Sequence, residues 1–73
     1  MKTTLKDLRN QCNRTLAEVA KALYVPLSTY ANYEQGTRTI DIRLIIPLAE
    51  LYGVSEKEII EAQINSIDFS ASN

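Results

Sequence analysis

Hydrogen-bonding side chains are concentrated in the short segment that follows Pro26. Hydroxyl and amide groups occur at Ser28, Thr29 and Asn32, placed so that one side of a helix can pack while another offers them outward. Such groups bind ligands, but they are poor nucleophiles without a neighbouring base. The chain has no histidine and a single cysteine, Cys12, so a Cys-His nucleophile and a zinc site both lack their usual partners. The sequence therefore predicts a binding protein rather than an enzyme, with no metal and no cofactor.

Two short helices separated by a tight break position this segment. Thr15 and Glu18 have the spacing of a capping box, in which the two side chains bond backbone N–H groups of the first turn. The break falls at residues 24–26, because proline has no amide hydrogen and biases its predecessor away from the helical region. The second helix is expected to begin at or just after Pro26 and to end at Gly36, which suits the left-handed closing position. Two short predicted helices joined by a sharp turn indicate a helix-turn-helix motif.

The residue pattern across these two helices is specific. Its matching positions are Thr15, Glu18, Val19, Ala20, Leu23, Val25, Ser28, Tyr30, Tyr33, Glu34, Gly36 and Arg38. On these residues the chain, from about residue 5 to residue 60, resembles the phage-repressor class of helix-turn-helix domains, the Cro/Xre family. It departs from the family pattern at Leu16, where a phosphate-binding Gln is frequent, at Tyr24, where Gly is usual, and at Pro26 and Leu27, where a Ser cap and a polar reader are common. The resemblance implies an all-α fold, a compact five-helix lambda-repressor-like DNA-binding domain.

The resemblance also implies roles for individual residues. The base-reading candidates, near the start of the recognition helix, are Leu27, Ser28, Thr29 and Asn32. The phosphate-contacting candidates are Thr15, Tyr30, Thr37 and Arg38. Tyr30 is open to two interpretations, because its ring can pack while its hydroxyl reaches a phosphate. Arg9 and Glu34 match the positions of a partly buried ion pair that ties the first helix to the end of the recognition helix.

Length and charge distribution bound these expectations. Seventy-three residues make one small domain, expected at residues 1–64 with a C-terminal tail at residues 65–73. The net charge is −1, but residues 1–38 carry six cations and three acids, whereas residues 39–73 carry two cations and six acids. The predicted helix-turn-helix thus lies in the basic part, as phosphate binding favours. No apolar run approaches a membrane span, the first residues lack the apolar stretch of a secretory signal, and the lone cysteine suits a reducing cytoplasm.

Two helices are expected after the motif. Asp41 caps the fourth helix of the fold, Gly53 ends it, and Pro47 within it predicts a kink or a late start. Its expected buried side consists of Ile42, Ile45, Ile46, Ala49 and Tyr52. The fifth helix is expected to end near Ile64 and to give way to a frayed tail.

Apolar residues near the C-terminus exceed what the core needs. They are Ile59, Ile60, Ile64, Ile67 and Phe69. Because such a cluster on a monomer invites aggregation, we expect the fifth helix and the tail to form a two-fold interface in a homodimer. Two recognition helices would then lie about 34–36 Å apart and bind a palindromic operator. In the alternative outcome, Ile67 and Phe69 fold back onto their own chain and close its core.

Together these features predict a sequence-specific, double-stranded DNA-binding regulator of transcription that acts as a small homodimer, with repression as the first expectation. Neither a small-molecule effector nor a membrane partner is inferred. One alternative is a protein-interaction module that keeps the fold without binding DNA, which Leu16, Tyr24, Leu27 and the acidic second half favour. Another is an antitoxin-like partner that tethers a second protein to DNA through residues 59–69.

Overall fold

Five helices account for the regular structure of the chain. The computed structural model describes residues 3–71, with side chains as far as Ile67, and between residues 3 and 71 it contains no strand. The helices are α1 (Leu5–Gln11), α2 (Leu16–Ala22), α3 (Leu27–Gln35), α4 (Ile42–Tyr52) and α5 (Glu56–Ala71). The predicted all-α, five-helix fold is confirmed. No helix within the described range is long and apolar enough to cross a membrane.

Local side-chain chemistry explains where most of these helices begin and end. Capping boxes open α1 and α2: Thr4 bonds reciprocally with Asp7, and Thr15 with Glu18. The Asp41 carboxylate accepts a hydrogen bond from the Arg43 amide at 2.9 Å and so caps α4. Helix α3 is the exception, because its N-cap is Pro26 and no side chain bonds its first amides.

The core is one apolar cluster to which all five helices contribute. Helix α3 lies against α1, α2 and α5, and α5 also packs against α1 and α4. The largest side chains that are completely buried are Tyr30, Leu5, Leu48, Ile59 and Val19. The recognition helix of the predicted motif is therefore held from several sides at once.

Helix α4 departs from its predicted orientation. Ile45, Ala49 and Tyr52 are buried as expected, but Ile42 is 84% exposed and Ile46 is also exposed, so their expected burial is wrong. Because successive residues turn by about 100° around a helix, Ile46 cannot share the core face with Ile45 once Leu48 and the other buried residues have fixed that face.

Pro47 does not delay the start of α4, because the helix runs from Ile42 through Pro47 to Tyr52. Its ring is exposed, and the Arg43 carbonyl that lacks an intrahelical partner belongs to an exposed residue, where water can reach it.

Helix α5 is longer than predicted. It continues past Ile64 to Ala71, so the expected end near Ile64 is wrong, and residues 65–71 are helical rather than a frayed tail. Tertiary hydrogen bonds hold the added turns: the Ser66 hydroxyl accepts from the Leu5 amide at 3.1 Å, and the Asn65 amide donates to the Thr3 carbonyl at 2.8 Å. These bonds dock the end of α5 on the beginning of α1.

Candidate nucleic-acid interface

The connection between α2 and α3 is a sharp turn with one strained residue. Leu23 is the C-cap of α2, and the Val25 amide donates to the Ala20 carbonyl at 3.0 Å across the turn. Tyr24 has φ +58° and its side chain is 96% exposed. A residue with a Cβ rarely adopts this left-handed conformation, which explains why glycine is usual here. The turn forms despite this strain, and α3 begins at the surface of the protein.

Helix α3 has a buried side and an outward side. Ser28 and Leu27 are exposed in its first turn, whereas Thr29 and Asn32 are half-buried. The predicted base-reading residues thus all lie at or near the surface of α3. Gln35 is also exposed. Asn32 lies four residues after Ser28, and Gln35 lies three residues after Asn32, so the three residues share one helix face. That spacing is visible in the sequence, so Gln35 belongs with the candidate residues.

The predicted phosphate-contacting residues divide into two groups. Thr15, Thr37 and Arg38 are exposed, Thr15 at the N-terminus of α2 and the other two just beyond the end of α3. The Thr15 hydroxyl accepts from the Glu18 amide, and hydrogen bonds from Thr15 lower the pKa of the Glu18 carboxyl.

Tyr30 differs, and its prediction as a phosphate contact is wrong. Its side chain is completely buried, and its hydroxyl oxygen lies 2.6 Å from that of Tyr52. Burial raises the pKa of Tyr30 far above its usual range and raises that of Tyr52 to about 12, so both remain neutral. A phosphate cannot reach this hydroxyl, because the ring fits into the core rather than lying over the helix surface.

The structure brings Arg9 and Glu34 together across α1 and α3. Arg9 Nε donates to Glu34 Oε2 at 2.7 Å and Nη2 donates to Oε1 at 3.2 Å, while Nη1 donates to the Arg14 carbonyl at 3.0 Å. The two side chains are only 12% and 7% exposed. The hydrogen bonds that Arg9 donates to the Glu34 carboxylate raise the pKa of Arg9 despite its desolvation. These hydrogen bonds join the last turn of α3 to α1 and to the segment that precedes α2.

The residues predicted for a dimer interface do not share one surface. Ile59 is completely buried, so its placement at an interface is wrong: it lies on the same side of α5 as Ala62 and Ser66, which face the core. Ile60 and Ile64 are exposed, Ile67 is half-buried, and the Phe69 side chain lies outside the described residues.

No group of three His, Cys, Asp or Glu side chains within the described residues is placed to hold a metal ion.

Comparison with known proteins finds a matching family and a related protein. Residues 5–59 match a family model described as helix-turn-helix. The cryptic phage CTXphi transcriptional repressor RstR of Vibrio cholerae is 33% identical over 64 residues, a stretch that covers 88% of this chain and 58% of the relative. The chain thus spans less than two thirds of that relative's length. No solved structure matches the chain.

Proposed function

Because the chain belongs to the helix-turn-helix family, we propose that it binds double-stranded DNA in a sequence-specific manner through α3 and thereby regulates transcription. The two-sided character of α3 supports this most directly. Its inner side is held by Arg9 and Tyr52, while its outer side offers two hydroxyls and two amides to a ligand. A rigid helix with an outward polar face is the form that fits a major groove.

The outward residues of α3 supply complementary base contacts. The Asn32 amide can bond adenine through its N6 and N7 positions, and Gln35 can do the same one turn later. The hydroxyls of Ser28 and Thr29 accept or donate and so tolerate several bases, whereas Leu27 packs against a thymine methyl group. This assignment makes Asn32 the principal reader.

Phosphate contacts orient the helix on the duplex. Thr15, Thr37 and Arg38 are exposed at the two flanks of the helix-turn-helix, where a backbone passes a bound recognition helix. Residues 1–38 carry a net charge of +3 and residues 39–73 a net charge of −4. The polyanion therefore attracts the first half and repels the second, which favours approach by the α3 side.

A homodimer on a palindromic operator completes the proposal. One recognition helix reads only a few base pairs, so a second copy about 34–36 Å away adds the missing specificity. Ile60 and Ile64 provide exposed apolar surface on α5 for a two-fold contact. Repression by blocking polymerase is the mode we favour, because the similar phage protein is named a transcriptional repressor.

Selection from random duplex DNA, followed by binding of two variants, tests the reading face. Asn32→Ala is expected to weaken binding to the selected duplex by about 1–3 kcal/mol and to relax the preference at one base pair. Arg38→Ala is expected to weaken binding to selected and scrambled duplexes alike, because phosphates carry no sequence information. Equal losses on both duplexes for both variants would remove Asn32 from the role of reader.

Light scattering tests the assembly. A dimer at tens of micromolar that Ile60→Asp converts to a monomer supports the α5 contact. Ile46→Asp is the matched control, since Ile46 is also exposed but lies on α4. Dissociation by the control variant alone would move the interface to α4, and a wild-type monomer would reject the dimer.

One observation favours a second candidate function. Tyr24 and Leu27 place exposed apolar surface at the turn and at the start of α3, which suits a protein partner better than a phosphate backbone. In that case the domain is a protein-interaction module. Failure of the chain to be retained on immobilised duplex DNA at low salt would favour it, because low salt maximises any phosphate attraction.

A further inference from the structure

Helix α3 meets α4 through one polar contact inside an apolar core. The hydroxyl oxygens of Tyr30 and Tyr52 lie 2.6 Å apart, a normal length for an O–H···O hydrogen bond. Both residues are buried, and neither hydroxyl is left without a partner. Tyr52 is the last residue of α4, so it lies outside the two helices of the motif.

This contact and the Arg9–Glu34 pair hold α3 at two different points. Glu34 lies in the last turn of α3, and Tyr30 lies four residues earlier, towards the end that carries Leu27 and Ser28. Apolar packing tolerates small slides, whereas hydrogen bonds weaken steeply with changes in distance and angle. With the Tyr30 contact removed, α3 keeps its attachment at Glu34 and its apolar packing against α1, α2 and α5, and that packing still allows small changes of tilt. The largest displacement then falls on the N-terminal half of α3.

We propose that Tyr52 is a positioning residue for sequence discrimination. Through the Tyr30 hydroxyl it fixes the tilt of α3, and hence the aim of the Ser28, Thr29 and Asn32 side chains at base edges. This inference rests on the proposed DNA-binding function. It assigns to α4 a role in selecting the DNA sequence, although α4 lies outside the helix-turn-helix motif.

A pair of variants separates positioning from stability. Tyr52→Phe removes the hydroxyl that pairs with the buried Tyr30 hydroxyl, which destabilises the fold. The double variant Tyr30→Phe with Tyr52→Phe removes both hydroxyls, and replacement of both partners by apolar groups of the same shape is nearly neutral for stability. If the two hydroxyls serve stability alone, the double variant should recover both the melting temperature and the discrimination between DNA sequences. If they position α3, it should recover the melting temperature but not the discrimination.

The experiment measures affinity by fluorescence anisotropy for two duplexes of equal length, one selected by the wild-type chain from a random pool and one with the same bases scrambled. We expect Tyr52→Phe to reduce the ratio of the two affinities about tenfold, the effect of one good base contact. Affinity for the scrambled duplex should change less than twofold, because the phosphate contacts remain. The double variant should melt near the wild-type temperature and keep the reduced ratio. Tyr24→Phe, which removes a solvent-exposed hydroxyl, is the matched control and should leave the ratio unchanged.

Two results would overturn the inference. One is a double variant that discriminates between the duplexes as well as the wild type does. The other is an equal loss of affinity for both duplexes, which indicates partial unfolding rather than misdirected side chains. If Tyr52→Phe alone fails to fold, the double variant still decides between these outcomes. A wild-type chain that itself prefers neither duplex would refute the proposed function, and with it this inference.

Discussion

The two ends of α3 differ in how firmly the rest of the molecule holds them. At the C-terminal end, Glu34 is bonded by Arg9, and Gly36 turns the chain so closely beneath α5 that no side chain fits between them. At the N-terminal end, Pro26 gives no side-chain cap, and Leu27 and Ser28 are exposed. One end is thus anchored and the other is left available to a ligand.

Because the two ends of α3 are held differently, substitutions at the two ends should have different effects. Changes at the anchored end should alter stability, since they remove buried partners or introduce clashes. Changes at the open end should alter binding and leave the melting temperature near that of the wild type, since the residues there have few contacts to lose.

The largest expected effect is at Glu34. Glu34→Ala leaves the partly buried Arg9 guanidinium with only the Arg14 carbonyl as a partner, so the free energy of unfolding should fall by up to about 3–5 kcal/mol. For a domain this small, that loss would unfold much of the population at 37 °C. Urea denaturation followed by circular dichroism measures it.

Arg43→Ala serves as the matched control for Glu34→Ala. It breaks an exposed ion pair, between Arg43 and Asp41, in which the Arg43 side chain is 86% exposed. Because exposed pairs contribute little, its melting temperature should stay within a degree of the wild type. If both variants melt like the wild type, the Arg9–Glu34 pair does not anchor α3.

An intermediate effect is expected at Gly36. Gly36 has φ +78°, and a Cβ built there would lie 2.7 Å from the Ser66 carbonyl oxygen and 2.9 Å from the Ile67 Cα. Gly36→Ala therefore combines left-handed strain with a clash against backbone, and should lower stability by about 2–4 kcal/mol.

Gly53→Ala measures the left-handed backbone strain without the clash. Gly53 has φ +68° but nothing lies within 4 Å of a built Cβ, so only the strain of about 1 kcal/mol applies. The difference between the two variants in thermal unfolding measures the close approach of α5. Equal losses would show that α5 can move away from Gly36 at no cost.

The smallest effect is expected on the open side of the molecule, at Tyr24. Tyr24→Gly removes the strain of φ +58° and loses no packing, since the side chain is exposed. After the greater flexibility of glycine in the unfolded chain is deducted, a gain of about 0.5 kcal/mol remains, or roughly 2–4 °C in melting temperature. Calorimetry can resolve this.

Asn13→Gly is the comparison for Tyr24→Gly. Asn13 has a similar φ of +55°, but asparagine adopts this conformation more readily than tyrosine. Its substitution should therefore give no gain. A lower melting temperature for Tyr24→Gly would mean that the tyrosine ring stabilises the turn through contacts in solution.

Features fixed by neighbouring residues could be predicted from the sequence. The capping box at Thr15, the break before Pro26 and the closing glycines all depend on backbone chemistry within a few residues. Helix positions followed from them. The Arg9–Glu34 positions came from the family pattern, since no local rule pairs residues so far apart in the chain.

Features decided by tertiary packing could not be predicted in the same way. Isoleucines occur on more than one side of α4, so periodicity alone did not exclude Ile42 and Ile46 from the core. The burial of Tyr30 depends on Tyr52, which lies on another helix. The length of α5 depends on Ser66 meeting the Leu5 amide, and neither residue signals the other in the sequence.

The bond between Ser66 and the Leu5 amide also sets an order of events during synthesis. Its partners are 61 residues apart in the chain. At about 5–20 residues per second, the ribosome makes Ser66 roughly 3–12 s after Leu5. Throughout that interval α1 lacks its partner from α5, and Glu34, the partner of Arg9, is synthesised before Ser66. The nascent chain must therefore complete its fold late, after most of the recognition machinery has already been translated.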